Sequence, residues 1–213
     1  LTPEEIHAMP LVSQRVESVR EERLKAKDKG ANRLACRAHE FRDTKTPAKY
    51  IGVPVTTGER REYIPIDFID DGSIPAVTIQ QISNGELWHF ALLSGRMHMA
   101  WTRMVAGRLK TDYRYSKDVV YNNFPVPSIR DVEKDALNKS ARRILLARAA
   151  HPEKTLAGLY DPDKMPIDLR EAHNDNDHIV DNLYKKGGFT NDEDRLAALF
   201  DLYEQMTKKE KTK

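Results

Sequence analysis

A single cysteine, Cys36, in 213 residues leaves no partner for an internal disulfide and no thiolate cluster for zinc. A reducing cytoplasm is the expected setting. No apolar run approaches the roughly 20 residues that a membrane-spanning helix needs, and the opening "LTPEEIHAMP" lacks the cationic start and apolar core of a secretory signal. Glycine-rich turns are missing as well. The one double glycine, Gly187-Gly188, falls in a connection between helical stretches, whereas a nucleotide or methyl-donor cofactor needs such a turn at a strand end. The seven histidines include no HExxH, and His173 and His178, five apart, diverge around a helix too far to share a metal. "DPDKMP" has the letters of a metal-dependent nuclease but no strand to carry them, so Asp161 and Asp163 read as turn residues. No catalytic, cofactor-binding or metal site is expected within this chain. Leu1 stands where an initiator Met would, which reads as a segment of a longer chain.

What is present is a polar globular composition, 39% hydrophobic and 32% charged, with a net charge of +2 that is unevenly spread. Between Arg15 and Arg37 lie Arg20, Arg23, Lys25, Lys27, Lys29 and Arg33, against Glu17, Glu21, Glu22 and Asp28. From Asp161 to Glu204 the sign reverses, through runs such as "NDND" and "NDED".

Apolar Leu11, Val12, Val16, Val19 and Leu24 recur among charges at near-helical spacing, predicting one long helix over about residues 10–29. "KYIGVPV", "REYIPIDFI" and "IPAVTIQQI" are β-branched and aromatic runs of strand length. Pro54, Pro65 and Pro75 lie inside them, so the strands should be edges, short or bulged, in a small irregular mixed sheet. Helices return at "GELWHFALLSG" and "RMHMAWTRMVAG". In the second, Met97, Ala100, Trp101, Met104 and Val105 make one apolar face, with Arg96, His98 and Arg103 off it. Beyond "NNFPVP" the pattern is helical to the end. The predicted inward rows are Val132, Leu137, Ala141, Ile144 and Leu145, then Leu169, Ala172, Asn176, Ile179, Val180 and Leu183, then Leu196, Leu199, Phe200 and Tyr203 after a capping box of Thr190 and Glu193. The expected class is therefore α/β of the α+β kind: residues 1–127 form a mixed domain behind a connector helix, and residues 128–213 form an all-α unit. "KKEKTK" reads as a frayed tail.

Residues 96 to 117 supply Arg96, Arg103, Arg108, Lys110, Arg114 and Lys117 against the single acid Asp112, with Tyr113 and Tyr115 interleaved. Such density fits a phosphate footprint on nucleic acid, the alternative being a solvated loop of snorkelling side chains. In an extended segment residues two apart point the same way, so Lys110 and Asp112 would set a donor beside an acceptor. Guanine offers O6 and N7 in the major groove while cytosine offers its N4 amino group, so the two side chains could read one G·C pair. A surface ion pair of little worth is the bland alternative.

The stretches "LWHFALLSGRMHMAWTRMVAGRLKTDYRYSKDVVYNNFPVP" and "LYDPDKMPIDLREAHNDNDHIVDNLY" resemble the C-terminal part of MmeI-like DNA methyltransferases, the type IIL restriction-modification proteins. The likeness runs from "YIPIDF" to the last helix. In that family a nuclease region and a methyltransferase core, which binds S-adenosylmethionine and carries Asn-Pro-Pro-Tyr, precede a target recognition domain and a helical tail. Neither the cofactor glycines nor that motif occurs here; "YNNF" at 121–124 lacks both prolines. The resemblance thus implies a recognition segment that is not itself an enzyme. Its parent would be a site-specific adenine-N6 DNA methyltransferase, of a family whose nuclease region would add endonuclease activity, and the partners would be double-stranded DNA and the methyltransferase domain of the same chain. It also implies that the positions matching Lys110 and Asp112 specify one base pair, with G in the modified strand. Arg114 joins them as a base-reading candidate. Arg96, Arg103, Arg108, Tyr115, Ser116 and Lys117 are candidates for backbone or nearby contacts. Tyr121, Asn122, Asn123 and Phe124 are read chiefly as closing the domain, and the polar loop Arg42, Asp43, Thr44 and Lys45 as a further reading element. The competing reading is an interaction module whose helical tail docks on the methyltransferase core.

Overall fold

The computed structural model describes residues 2–211 and divides them into two compact units, Leu1–Thr46 and Pro47–Lys213. The first is a small helical unit. Its first helix, α1 (Pro3–His7), starts from a capping box in which the Thr2 hydroxyl accepts from the Glu5 amide and the Glu5 carboxylate accepts from the Thr2 amide. Helix α2 (Pro10–Lys25) stops four residues short of the predicted end. Ala26 leaves the helical region, the Asn32 amide donates to the carbonyls of Arg23, Leu24 and Ala26, and the Asp28 carboxylate caps α3 (Lys29–Arg33). The Arg23 guanidinium ties the following turn by donating to the carbonyls of Leu34, Arg37 and Glu40. No residue of α2 is buried, and Leu11, Val19 and Leu24 stand in the open.

The second unit carries the sheets. Strands β1 (Tyr50–Pro54), β3 (Asp67–Ile69) and β4 (Ile79–Ser83) form one antiparallel sheet in the order β3-β1-β4. Strands β2 (Thr56–Thr57), β5 (Gly107–Leu109) and β6 (Asp112–Arg114) form a second in the order β2-β6-β5. The α+β class expected from the sequence holds, and the single mixed sheet resolves into two antiparallel ones. Val55 joins them: its amide donates to the Thr78 carbonyl at 2.8 Å and its carbonyl accepts from the Tyr115 amide at 2.8 Å. Pro65 and Pro75 fall outside the strands, as residues that cannot donate to a ladder should. Gly52 sits at the centre of β1 because a Cβ there would lie 2.8 Å from Ile69 Cδ1.

The same unit carries helices α4 (Leu87–Leu93), α5 (Arg96–Val105), α6 (Asp131–Ala149), α7 (Leu156–Leu159), α8 (Ile167–Tyr184) and α9 (Asp192–Lys211), of which α4 meets β3. Helix α6 packs on α8 and α4, and α5 on α9. One core runs from Ile51 and Val53 through Phe90, Met97 and Trp101 to Leu137, Ile144, Leu169, Val180 and Leu199, so packing is continuous across residue 127.

Three predicted faces are rotated. In α5, His98 and Thr102 are buried with Met97 and Trp101, while Met104 is exposed. The reason is polar satisfaction: His98 Nε2 lies 3.0 Å from the Tyr115 hydroxyl and the Thr102 hydroxyl donates to the His98 carbonyl. In α8 the buried row includes His173, Asp177 and Asp181, with Ile179 and Leu183 only half-buried. In α6, Val132 is exposed and Arg148 buried, donating to the Ile66 carbonyl and the Tyr160 hydroxyl. The cap of α9 is one residue along from the predicted box: the Asn191 side chain accepts from the Asp194 amide at 2.8 Å. Phe200 is partly exposed, although its ring still meets Trp101.

Candidate nucleic-acid interface

Strands β5 and β6 form a hairpin closed by the pair Leu109–Asp112, with Lys110 and Thr111 as its two-residue turn. Lys110 has φ 57°, in the left-handed region that side chains with a Cβ seldom enter. The extended geometry expected for Lys110 and Asp112 is therefore corrected: the lysine stands at the tip of a turn, and the two residues that lie two apart in a strand are Asp112 and Arg114. Residues 107 to 111 and Arg114 are exposed, Asp112 is half-buried, and Tyr113 and Tyr115 point the opposite way into the core. Neither the Lys110 ammonium nor the Arg114 guanidinium has a hydrogen-bond or ion-pair partner among the described residues.

The inward side of this ribbon is anchored firmly. The Tyr115 hydroxyl meets His98 Nε2, and burial drives the phenol's pKa up and holds the imidazole neutral, its pKa pushed down to about 3. Phe124 packs edge-on against His98 with ring centroids 4.5 Å apart. The Trp101 indole N–H donates to the Val120 carbonyl, fixing the wide helical turn of residues 117–121 to α5. The Gln80 amide donates to the Tyr115 carbonyl, tying β4 to the same point. The signal for this shell was present in the sequence as alternation, Asp112 and Arg114 outward and Tyr113 and Tyr115 inward.

The other candidates separate sharply. Tyr115 is 2% exposed and belongs to the core, so it leaves the set of surface contacts. The Arg96 side chain is held by Glu62, Tyr63 and Asp177, and its amide donates to Asp177 at the start of α5. Arg103 is held by Asp192 and the Arg61 carbonyl. Both guanidiniums are half-buried and already engaged in ion pairs within the fold, unlike the side chains of Lys110 and Arg114. The Ser116 hydroxyl caps the following turn by accepting from the Val119 amide. Arg108 lies over the Tyr113 ring at 3.8 Å and donates to the Thr111 carbonyl. Lys117 is exposed beside Asp118 at 3.9 Å. Asn123 donates to the carbonyls of Asp118 and Val119 and Phe124 is buried, both structural roles. In the first unit Arg42 pairs with Asp28 at 3.0 Å, and Asp43, Thr44 and Lys45 lie in coil.

Among the described residues no group of three histidine, cysteine or acidic side chains is placed to hold a metal, and no helix is long and apolar enough to cross a membrane. Asp163 closes an Asx turn onto Asp161 and pairs with Arg60. Gly187 and Gly188, with φ 90° and 73°, turn the chain between α8 and α9.

The second unit thus combines a pair of small antiparallel sheets, an outward cationic hairpin and packed helices. The chain belongs to the MmeI family: residues 1–128 match the family described as "MmeI, target recognition domain", and residues 129–210 match "MmeI, C-terminal domain". The chain is similar to "DNA methyltransferase A" of Bacillus subtilis (strain 168), with 40% identity over 207 residues that make up 97% of this chain and 23% of that protein. It is also similar to the type IIL restriction-modification enzyme MmeI solved in complex with DNA, with a TM-score of 0.85 and 39% identity over 97% of this chain and 28% of that one. It spans about a quarter of the length of either relative.

Proposed function

We propose that this chain reads the sequence of double-stranded DNA through the β5–β6 hairpin. In this reading it serves a parent protein that methylates adenine N6, as part of a restriction-modification system in the cytoplasm. The single observation that carries the reading is the hairpin itself: Lys110 at the tip and Arg114 on the outward face are exposed, their charged groups without partners among the described residues, with Asp112 between them. Asp112 accepts from the cytosine amino group while Lys110, aided by Arg114, donates to guanine O6 and N7. Lys117 supplies charge to the adjoining phosphate, a contact that positions without specifying. Membership of the family and the likeness to an enzyme solved with DNA support the same reading.

S-adenosylmethionine belongs, in this reading, to the methyltransferase region of the parent. This placing is supported by the paired glycines Gly187 and Gly188, which close a helix-to-helix turn and not a strand-to-helix cradle. Endonuclease activity of the parent is assigned on the same family basis, to regions outside this chain. Residues 1–127 act as the reader and 128–213 as its helical support. Docking on the remainder of the parent is a second role, favoured by the exposed Leu11, Leu24 and Phe41 of the first unit.

The test is the double substitution Lys110→Glu with Asp112→Arg, which should turn preference at one base pair from G toward C in the modified strand. Binding to duplexes varied at each position reads it out. A wild-type discrimination of about 1–3 kcal/mol at that pair should invert or vanish while binding elsewhere persists. An unchanged preference defeats the proposal.

A further inference from the structure

We infer that Arg108 is a positioning residue, whose guanidinium clamps the hairpin turn and so fixes where Lys110 and Asp112 point, without touching DNA itself. The inference rests on the reading of the hairpin given above. Three observations carry it. First, Lys110, the first residue of the two-residue turn, is held at φ 57°, in a region that glycine enters without the Cβ penalty a lysine carries. The conformation therefore needs help from outside the turn. Second, Arg108 Nη1 donates to the Thr111 carbonyl at 2.7 Å, a bond that spans the turn. Third, the guanidinium lies 3.8 Å above the ring of Tyr113, its cross-strand partner, and that ring is buried in the core. One flat group thus bridges a buried ring and the carbonyl of the turn. A lysine has neither the plane to stack nor the fork to donate sideways while stacked.

A clamp and a phosphate contact respond oppositely to Arg108→Lys. A phosphate needs only charge, so lysine would preserve binding, and Arg108→Ala would weaken binding to all sequences alike and lower the salt slope by about one. A clamp needs the guanidinium, so Arg108→Lys and Arg108→Ala should be equally impaired. Both should lose several-fold in discrimination at the G·C pair, with the salt slope unchanged in the lysine variant.

The experiment measures binding of the full natural chain and of both variants to duplexes varied at that pair, across a salt series. Amide exchange at Thr111 and Asp112 is followed in parallel. Faster exchange in both variants, at an unchanged melting temperature, together with lost discrimination supports the clamp. A discriminating wild type with undiminished discrimination in Arg108→Lys overturns the clamp alone. A wild type that does not discriminate overturns the base-reading assignment, and leaves the clamp nothing to position.

Discussion

Acidification from pH 7 to pH 5 should destabilise the fold through His98. Its ring is fully buried, Nε2 faces the Tyr115 hydroxyl, and Nδ1 meets no polar partner among the described residues, so an imidazolium there would be left with an unbonded donor. Burial lowers its pKa to about 3, against about 6.5 in an unfolded chain. Between those values the unfolded chain binds a proton that the folded chain does not. The stability is therefore complete above pH 6.5 and is lost as pH falls toward 3. At pH 5 the loss is ~2 kcal/mol. His173, buried against Tyr63 and Tyr160, acts in the same direction. Asp177, raised to about 6 by burial, opposes: its contribution is present below pH 3.8 and is lost as pH rises through 6. A difference measurement isolates His98. In urea unfolding at pH 5 and pH 7, wild type should lose ~2 kcal/mol more than His98→Gln, whose amide can still meet Tyr115. Equal losses in the two proteins would refute the reasoning.

Lys110→Gly should raise stability by about 0.5–1 kcal/mol, because glycine enters the left-handed region without the Cβ penalty, while abolishing preference at the G·C pair; calorimetry and binding check the two halves, and a destabilised variant contradicts the turn geometry. Asp181 and Arg195 form a buried pair at 2.7 Å, so Asp181→Leu should cost about 3–5 kcal/mol and the double change with Arg195→Met much less; chemical denaturation showing the double variant no better than the single would disprove it. Gly52→Ala should cost about 1–3 kcal/mol in the same assay by forcing Ile69 and Ile79 aside, and a neutral result would show that they yield freely.

The sequence was legible where one periodicity spoke alone. Met97, Ala100 and Trp101 on α5, and Leu169, Ala172 and Val180 on α8, are buried as their spacing requires. It misled where a polar residue had a distant partner. His98 looked like the outer edge of its helix because its partner, Tyr115, lies 17 residues away. Asp177 is absent from the apolar row that spacing predicts because Tyr63, which donates to it at 2.8 Å, lies 114 residues away. The same blindness governed the site. Arg96 and Arg103 added charge to a count along the chain, but Glu62, Asp177 and Asp192 neutralise them in space. A charge count cannot tell a cation that waits for phosphate from one that closes an ion pair. Lys110 and Asp112 were singled out on an extended geometry that the turn replaces, yet both lie on the exposed hairpin.

Replacing guanine by 7-deazaguanine at single positions of the recognised duplex removes one major-groove acceptor and leaves base pairing intact. If the hairpin reads a G·C pair, affinity of the wild-type chain should fall about tenfold at one guanine, an effect of 1–2 kcal/mol, and Lys110→Ala should be indifferent to that replacement. Equal tolerance of 7-deazaguanine at every position by the wild-type chain would contradict the account.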